Sequence, residues 1–127
     1  MPDLFLKIIS REIPAHIIWE NETHLAFLDI NPIQSGHTLV IPKKQVDYIF
    51  DIPDQDYSTL MLATKEVATI IKDKLKCVRV AVAVEGFAVP HVHIHLVPVN
   101  FGNQLNPELA RKATEEELRL VAEILKN

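Results

Sequence analysis

Three histidines alternate with apolar residues late in the chain, at His91, His93 and His95. Side chains of a β-strand alternate between its faces, so the three imidazoles would share one face and the apolar residues the other. An exposed strand face usually mixes Thr, Lys, Glu and Arg, and three imidazoles at a strict period of two are unusual there. We therefore expect the strand predicted over His91–Val97 to carry the chemistry of the chain.

One chemistry that fits this row is nucleophilic attack on phosphorus. A neutral imidazole is a good nucleophile near pH 7, provided that its other ring nitrogen carries the proton and donates it to a carbonyl or carboxylate. Neighbouring imidazoles could then donate hydrogen bonds to phosphoryl oxygens while negative charge develops on them.

The other chemistry is metal binding. Alternate strand residues lie about 6.6 Å apart and the outer two histidines about 13 Å apart, whereas zinc–nitrogen bonds are about 2.0–2.1 Å long. One ion could bind two neighbouring histidines but not all three. A further ligand would have to come from elsewhere, such as His37, Asp29 or Glu85, and a metal-dependent enzyme stays open as an alternative.

Composition narrows the function classes. The chain has 127 residues, a length typical of one domain, and a formal net charge of −4. This acidic balance gives no sign of a nucleic-acid-binding surface, and no stretch approaches the roughly 20 apolar residues of a membrane span. The only glycines are Gly36, Gly86 and Gly102, so Rossmann and P-loop phosphate sites are excluded.

Two further features concern the compartment. The single cysteine, Cys77, cannot form an internal disulfide, which fits a reducing environment. The segment Met1–Ser10 has an early acidic residue and no long apolar run, so it does not resemble a secretory signal. We therefore expect a cytoplasmic protein.

The predicted elements run in the order helix, three strands, helix, two strands, helix. This order indicates an α+β fold with a five-stranded, mainly antiparallel sheet, one long helix, a short N-terminal helix and a C-terminal helix. The first three strands are predicted to form an antiparallel meander. The predicted strands are Ile17–Glu20, His24–Ile30, His37–Pro42, Cys77–Val84 and His91–Val97, and the predicted helices are residues 3–11, 51–74 and a last one that begins at a Thr114–Glu117 capping box.

Local signals mark boundaries and faces of these elements. Asp3 is placed to cap the first helix, and Asp51 with the nearby Pro53 to start the long one. In the fourth strand, valines alternate with Arg79, Ala81 and Ala83. The valine face is expected to pack against a core.

The segment from His91 to Val97 matches a specific motif in full: His, apolar, His, apolar, His, apolar, apolar. In this motif the chain resembles the histidine triad (HIT) family, and in particular its Hint-like branch. The resemblance covers most of residues 3–98. It includes the segments Lys7–Ile9, Glu12–Ala15, Leu25–Ile30 and His37–Lys44, together with Pro32. It implies one HIT-like domain over residues 1–127, in which residues 100–127 are a C-terminal extension ending in a helix.

The resemblance also implies an activity: hydrolysis or transfer of nucleoside monophosphates through a covalent nucleotidyl-histidine intermediate, without cofactor or metal. It implies that His93 is the nucleophile, that His95 contacts the phosphate, and that His91 offers its carbonyl to orient His93. His37 matches a fourth histidine near the phosphate and leaving group, and Asp29 an acidic residue that accepts from both ribose hydroxyls. The positions matching the base pocket are Leu4, Phe5, Ile8, Phe27, Ile30 and Leu39.

Several of these residues have an ordinary structural explanation as well. His37 could simply begin a strand beside Gly36, Asp29 could initiate a turn before Asn31 and Pro32, and the apolar positions could be plain core. Glu85 could recognise a cationic leaving group or be a solvated turn carboxylate.

Two departures from the family pattern bear on function. Some bacterial relatives hold a structural zinc ion, but the matching positions here are Asp3, Leu6 and Gln45, which argues against that site. The loop before the triad, Glu85–Val89, is short and lacks the amide and hydroxyl side chains with which the family holds the phosphate.

These observations lead to a main hypothesis and two alternatives. The main one is a nucleotide phosphoramidase, nucleotidyl hydrolase or transferase that acts on purine nucleoside monophosphate conjugates. The alternatives are a nucleotide-binding module of low turnover and a metal-dependent enzyme that uses the histidine strand. The resemblance further implies a homodimer joined through the long helix, residues 53–75, and the strand at residues 77–84.

Overall fold

A five-stranded antiparallel sheet organises the chain in the computed structural model, which describes residues 3–126. Met1, Pro2 and Asn127, which the sequence assigns to the same domain, lie outside the described residues. The predicted α+β architecture and the order of its main elements are confirmed. The elements are α1 (Leu4–Ile9), β1 (Ile17–Glu20), β2 (His24–Leu28), β3 (Thr38–Pro42), a 3₁₀ turn (Ile49–Asp51), α2 (Asp54–Leu75), β4 (Arg79–Ala83), β5 (Ile94–Val99), a 3₁₀ turn (Pro107–Leu109) and α3 (Glu115–Lys126).

The strand order is β1-β2-β3-β5-β4, and every neighbouring pair is antiparallel. The predicted meander of the first three strands is therefore confirmed. After β3 the long helix α2 carries the chain past the open edge of β3, and β5 returns to fill the position between β3 and β4. This topology places β5, which carries His95, in the interior of the sheet between β3 and β4. No helix within residues 3–126 is long and apolar enough to cross a membrane.

Each face of the sheet has its own packed layer, because the strand residues alternate. Along β2, Ala26 and Leu28 point towards α2 and α3, whereas Leu25 and Phe27 point towards α1. The α2/α3 layer contains the buried apolar side chains Val40, Ile94, Leu96, Leu60, Val67, Ile71, Leu118 and Ala122. The α1 layer is smaller and contains Phe5, Ile8, Leu39 and Ile41.

The last strand differs from its predicted range, since it runs from Ile94 to Val99 and not from His91 to Val97. Its ladder with β3 ends at the Val40–Ile94 pair. The next residues of β3 include Pro42, which has no N–H to donate and therefore cannot continue the ladder. His91 and His93 consequently lie just before the strand. The apolar residues Val92 and Ile94 still pack into the α2/α3 layer as predicted.

The second strand also stops earlier than predicted, at Leu28 rather than Ile30. The carboxylate of Asp29 accepts a hydrogen bond from the backbone N–H of Asn31 (2.8 Å), which starts a turn. Ile30 therefore leaves the sheet and its side chain is 57% exposed.

The start of α2 was predicted wrongly at Asp51. The helix begins at Asp54 with Pro53 as its N-cap, and no side chain caps it. Asp51 belongs instead to the preceding 3₁₀ turn, where its N–H donates to the Tyr48 carbonyl. The acidic residues Asp54 and Asp56 occupy the first turn, where the helix dipole favours negative charge. The other two caps were predicted correctly: Asp3 accepts from the N–H of Leu6, and Thr114 from that of Glu117.

The prediction that the whole valine face of β4 packs against a core was also wrong. Val80 packs on the α2/α3 layer, but Val78, Val82 and Val84 are exposed. The reason is topological: β4 is an edge strand at the end of the sheet, and α2 reaches only part of it.

Candidate functional site

His93 is held with a defined ring nitrogen free for chemistry. Its Nδ1 lies 2.8 Å from the main-chain carbonyl oxygen of His91. A carbonyl can only accept, so the proton of the neutral ring is on Nδ1 and the lone pair is on Nε2. The ring packs edge-on against Phe5, with 5.0 Å between ring centroids. The side chain is buried in the protein but lines a cavity.

His37 and His95 form a directed hydrogen-bond chain beside it. The backbone N–H of Ile33 donates to Nδ1 of His37 (3.0 Å), so the proton of the neutral His37 ring is on Nε2. That nitrogen lies 2.9 Å from Nδ1 of His95 and donates to it. The proton of His95 is therefore on Nε2, which makes this nitrogen a donor.

Burial keeps both rings neutral at physiological pH. Desolvation lowers the pKa of His37 from 6.5 to about 4, against the opposing effect of the Asp29 carboxylate. The pKa of His95 is also lowered, chiefly by desolvation and further by the neighbouring His93 ring. The carboxylates of Asp29 and Glu85 oppose this shift. The hydrogen-bond chain of neutral rings is thus the stable form near pH 7.

A cavity of about 400 Å³ opens in front of His93 and His95. The structure brings all seven predicted nucleotide-binding residues to its walls: Leu4, Phe5, Ile8, Phe27, Asp29, Ile30 and Leu39. Four of them are at the same time buried core residues of the α1 layer, whereas Leu4 and Ile30 are largely exposed. Asp29 is the acidic residue of this wall, and its second carboxylate oxygen lies 3.6 Å from Nε2 of His37.

Further residues line this cavity that the sequence did not single out. They are Ile13, Pro14 and Ala15 from the loop after α1, Asn31 from the turn after β2, and Ala88 and Val89 from the loop before the histidines. The segment at residues 12–15 carries part of the family resemblance, which is the one sequence signal that could have identified its members. Nothing local marks Ala88 and Val89, because only tertiary packing brings them beside His93.

His91 has a different environment from the other histidines of the site, His37, His93 and His95. Its side chain is fully buried and does not line the cavity. Its Nδ1 lies 3.1 Å from the Asp3 carboxylate and its Nε2 lies 2.7 Å from the carbonyl oxygen of Pro42. Only its main-chain carbonyl reaches His93, the contact that the resemblance implied for it.

A second cavity of about 430 Å³ lies on the other side of His95 and His37. Its walls are mostly apolar and include Leu105 and Pro107 from the C-terminal segment, with Glu85 as an acidic group. Asp29, Asn31 and His95 border both cavities. His95 therefore stands between the two cavities, and His37 borders the second one.

The loop before the histidines, residues 85–89, has no side chain that could donate a hydrogen bond to a phosphate. Gly86 has a φ of 89°, a left-handed conformation that glycine adopts without strain. Phe87 points outwards and is 90% exposed. Ala88 and Val89 line the first cavity, and neither carries a side-chain donor, whereas Glu85 lines the second.

One group within residues 3–126 has the composition of a metal site. The ligand atoms of Asp29, His37 and His95 all lie within 4.8 Å of one another. Metal binding at Nε2 of His37 would displace its proton, which could not move to Nδ1 without breaking the bond from the Ile33 N–H. The observed hydrogen bonds therefore favour a proton on this nitrogen over a metal ion.

The positions that match zinc ligands in bacterial relatives do not fit a zinc ion. Leu6 offers no ligand atom, and the amide nitrogen of Gln45 donates to the Asp3 carboxylate at 2.6 Å. The Asp3 oxygens also accept from the Leu6 N–H and contact His91. These side chains hold one another by hydrogen bonds.

This arrangement of histidines agrees with the comparison with known proteins, in which the chain matches the sequence model of the HIT domain over residues 10–102. The chain belongs to the HIT family. The resemblance inferred from the histidine motif is thereby confirmed. The family includes at least one named nucleotide hydrolysing enzyme, the adenosine 5′-monophosphoramidase of Saccharomyces cerevisiae, which is 38% identical over 96 residues. That alignment covers 75% of this chain and 61% of the yeast enzyme.

Other HIT-family relatives match over more of their length. An uncharacterized HIT-like protein of Methanocaldococcus jannaschii is 38% identical over 118 residues, which cover 84% of this chain and 92% of the relative. Among solved structures, a hypothetical histidine triad nucleotide-binding protein of Sulfolobus tokodaii superposes with a TM-score of 0.86 at 29% identity. The superposition covers 96% of this chain and 88% of that protein.

Proposed function

We propose that this HIT protein is a nucleotide phosphoramidase or related nucleotidyl hydrolase or transferase, and that His93 is its nucleophile. The observation that carries the proposal is the hydrogen bond from Nδ1 of His93 to the His91 carbonyl. It leaves the lone pair on Nε2, at the wall of a cavity large enough for a nucleoside. The yeast relative, an adenosine 5′-monophosphoramidase, supports the same chemistry.

The reaction balances in two displacements at one phosphorus. In the first, the Nε2 lone pair of His93 bonds to the α-phosphorus, and the bond to the leaving amine or phosphate breaks with its electron pair. The His91 carbonyl stabilises the charged ring that forms, because it accepts from Nδ1. In the second, water attacks the phosphorus and gives up a proton to solvent, the bond to Nε2 breaks with its electron pair, and the nucleoside monophosphate is released. That proton balances the one that a leaving amine takes up from solvent in the first displacement. An acceptor other than water would make the same step a transfer.

His95 and His37 are proposed to stabilise the phosphoryl group. The chain from Ile33 through His37 leaves a proton on Nε2 of His95, where it can be donated to a phosphoryl oxygen. Neutral donors suit this role for two reasons. Their hydrogen bonds to the phosphoryl oxygens strengthen as negative charge develops there, and as neutral groups they are not held by a salt bridge in the free enzyme. His37 borders the second cavity, and we propose that it acts near the leaving group.

The nucleoside is proposed to bind in the first cavity. The apolar walls contact the faces of a purine and read little of its edge, so adenine and guanine should both be accepted. Asp29 is proposed to accept hydrogen bonds from the two ribose hydroxyls. One oxygen of Asp29 accepts the hydrogen bond from the Asn31 N–H in the turn. The second oxygen takes no part in that turn, so the same side chain could start the turn and bind the ribose.

A steady-state assay tests the proposal. The protein should hydrolyse adenosine 5′-phosphoramidate to adenosine monophosphate without added metal and in the presence of a chelator. His93→Ala should lower the turnover number by about 10³-fold or more, because no other group forms the covalent bond. His16→Ala is the matched control, since His16 contacts Glu115 at the surface and lies outside both cavities. Activity that disappears with chelation would instead support the metal-dependent alternative.

A second candidate is a nucleotide-binding module of low turnover. The observation that favours it is the loop at residues 85–89, in which Phe87 points to solvent and Ala88 has no polar side chain. It predicts adenosine monophosphate binding with equal affinity in the wild type and His93→Ala, and no more phosphoramidate hydrolysis in one than in the other.

We further propose that two copies associate through β4 and α2. Val78, Val82 and Val84 remain exposed on an edge strand, which also offers unpaired backbone groups. Exposed apolar residues on an open edge are typical of a surface that a second chain covers.

A further inference from the structure

Asp3 lies at the centre of a hydrogen-bond cluster behind the cavity. Its Oδ1 accepts from the N–H of Leu6 at 2.8 Å, and its Oδ2 lies 3.1 Å from Nδ1 of His91 and 2.6 Å from Nε2 of Gln45. The side chains of His91 and Asp3 are 0% and 4% exposed. A carboxylate enclosed to this degree is costly to bury unless donors engage its oxygens, and here donors engage both.

His91 is the partner that links this cluster to the rest of the sheet. Its Nε2 lies 2.7 Å from the carbonyl oxygen of Pro42 at the end of β3. Each ring nitrogen thus faces an oxygen acceptor, and both contacts are hydrogen bonds only when both nitrogens carry protons.

The anchoring is needed because His91 lies outside the sheet ladder. Since β5 begins at Ile94, the segment before it has only scattered main-chain bonds, from His91 to Val89 and from Val92 to Val46. The side chain of His91 supplies a bridge from this segment to both α1 and β3. The main-chain carbonyl of the same residue receives the Nδ1 proton of His93.

We propose that Asp3 is a positioning residue for the nucleophile. Through the His91 ring it fixes the carbonyl that keeps the proton of His93 on Nδ1 and the lone pair on Nε2. The inference rests on the proposed function, in which His93 attacks phosphorus. The same segment also contacts the nucleophile through a cavity wall. Phe5, two residues after Asp3, packs edge-on against both His91 and His93.

Two substitutions separate this role from simple helix capping. Asp3→Asn keeps an oxygen for the Leu6 N–H but replaces Oδ2 by an amide donor, which opposes the protons of His91 and Gln45. Asp3→Ser also caps a helix well but is too short to reach His91. Both variants should keep α1 and fold, as thermal unfolding will show, while losing the contact to His91.

The readout is the tautomer of His93, measured by ¹⁵N NMR of the histidine rings. The wild type should show a single form protonated on Nδ1. Both Asp3 variants should show exchange between the Nδ1 and Nε2 forms. Their turnover number should fall by about 10- to 100-fold, as expected for a misplaced reacting group, with a smaller change in KM.

Gln45→Leu is the matched control. It removes the other side-chain donor to Oδ2, from an exposed residue, and leaves the Asp3–His91 contact in place. It should keep the single His93 tautomer and a turnover number within about twofold of wild type.

Two results would overturn the inference. One is a single Nδ1-protonated His93 with wild-type turnover in both Asp3 variants, which would make Asp3 a helix cap only. The other is a loss of turnover with an unchanged tautomer in a folded variant. The tautomer measurement needs no activity, so the inference can be judged even if hydrolysis in the wild type proves independent of His93 and the proposed function fails.

Discussion

Burial of His37 makes the stability of the protein depend on pH. Its folded-state pKa is about 4, below the ordinary 6.5, so between these pH values the unfolded chain binds a proton that the folded protein excludes. The free energy of unfolding is therefore highest above pH 6.5 and falls as the pH drops towards 4, by on the order of 3 kcal/mol. His95 and His24, whose pKa values are also lowered, contribute in the same direction.

Chemical denaturation across this pH range tests the effect. His37→Gln should lower stability at pH 7 and flatten its decline between pH 6.5 and pH 4. Ile124→Ala, which removes no titratable group from an exposed position of α3, should leave the slope as in the wild type. An unchanged slope in His37→Gln would show that this histidine is not the group that resists protonation.

The residue types of the site could be predicted from sequence, but the directions of its hydrogen bonds could not. Alternation and the motif were enough to group His91, His93 and His95. The proton positions depend on the N–H of Ile33 and on the His91 carbonyl, which are backbone groups without a sequence signal. The separate position of the His91 ring depends in turn on Asp3, 88 residues earlier in the chain.

At the scale of elements, the three errors in predicted element boundaries have one cause in common: periodicity predicts strands and helices but not the contacts that end them. The β5 ladder starts late because Pro42 on the partner strand has no N–H, and β2 stops early because Asp29 forms a turn. Asp51 does not cap α2, because it belongs to the preceding 3₁₀ turn and the helix begins only at Asp54, after Pro53. Two of these three corrections lie beside the candidate site.

The turn after β2 leads to a prediction for nucleotide binding. Backbone groups of the C-terminal segment hold this turn: the N–H of Ala113 donates to the Ile30 carbonyl, and that of Arg111 to the Pro32 carbonyl. The Ile30 side chain is thereby presented at the cavity while remaining exposed in the free protein.

Ile30→Ala should therefore weaken binding with little change in stability. Loss of about three buried methylene equivalents, at about 0.8 kcal/mol each, should raise the Kd for adenosine and guanosine monophosphates alike, by up to about fiftyfold. The free energy of unfolding should change by less than about 0.5 kcal/mol. Titration calorimetry measures the affinity, and Ile124→Ala, an equally simple truncation on the exposed face of α3, is the control. Equal affinities for Ile30→Ala and wild type would remove Ile30 from the base-binding wall.

At the scale of the whole molecule, the C-terminal segment is part of the core of its own chain. Leu118, Ala122 and Leu125 of α3 are buried in the α2/α3 layer, and the preceding residues line the second cavity. The sequence predicted only that residues 100–127 form an extension ending in a helix, without a packing partner for it. The resemblance to the family covers most of residues 3–98 and so did not predict where this segment packs, although the amphipathic pattern predicted the helix α3.

The proposed dimer is also testable at this scale. Val82 is 50% exposed on β4, so Val82→Lys should leave the monomer folded but place a charge in the proposed interface. Analytical ultracentrifugation should find the wild type as a dimer and Val82→Lys as a monomer at micromolar concentration. Leu120→Lys, on the exposed face of α3, should remain a dimer. A wild-type monomer, or a dimer that tolerates Val82→Lys, would contradict the proposed surface.

The most direct test of the central claim is detection of the covalent intermediate. The protein is mixed with adenosine 5′-phosphoramidate, quenched within the first turnovers at alkaline pH, where phosphorus–nitrogen bonds of histidine survive, and digested for mass spectrometry. A transient adenylate should appear on the peptide that contains His93, with fragmentation assigning it to that ring rather than to His91 or His95, and it should be absent from His93→Ala. Turnover with the adenylate on another residue, or hydrolysis that persists in His93→Ala, would contradict the account.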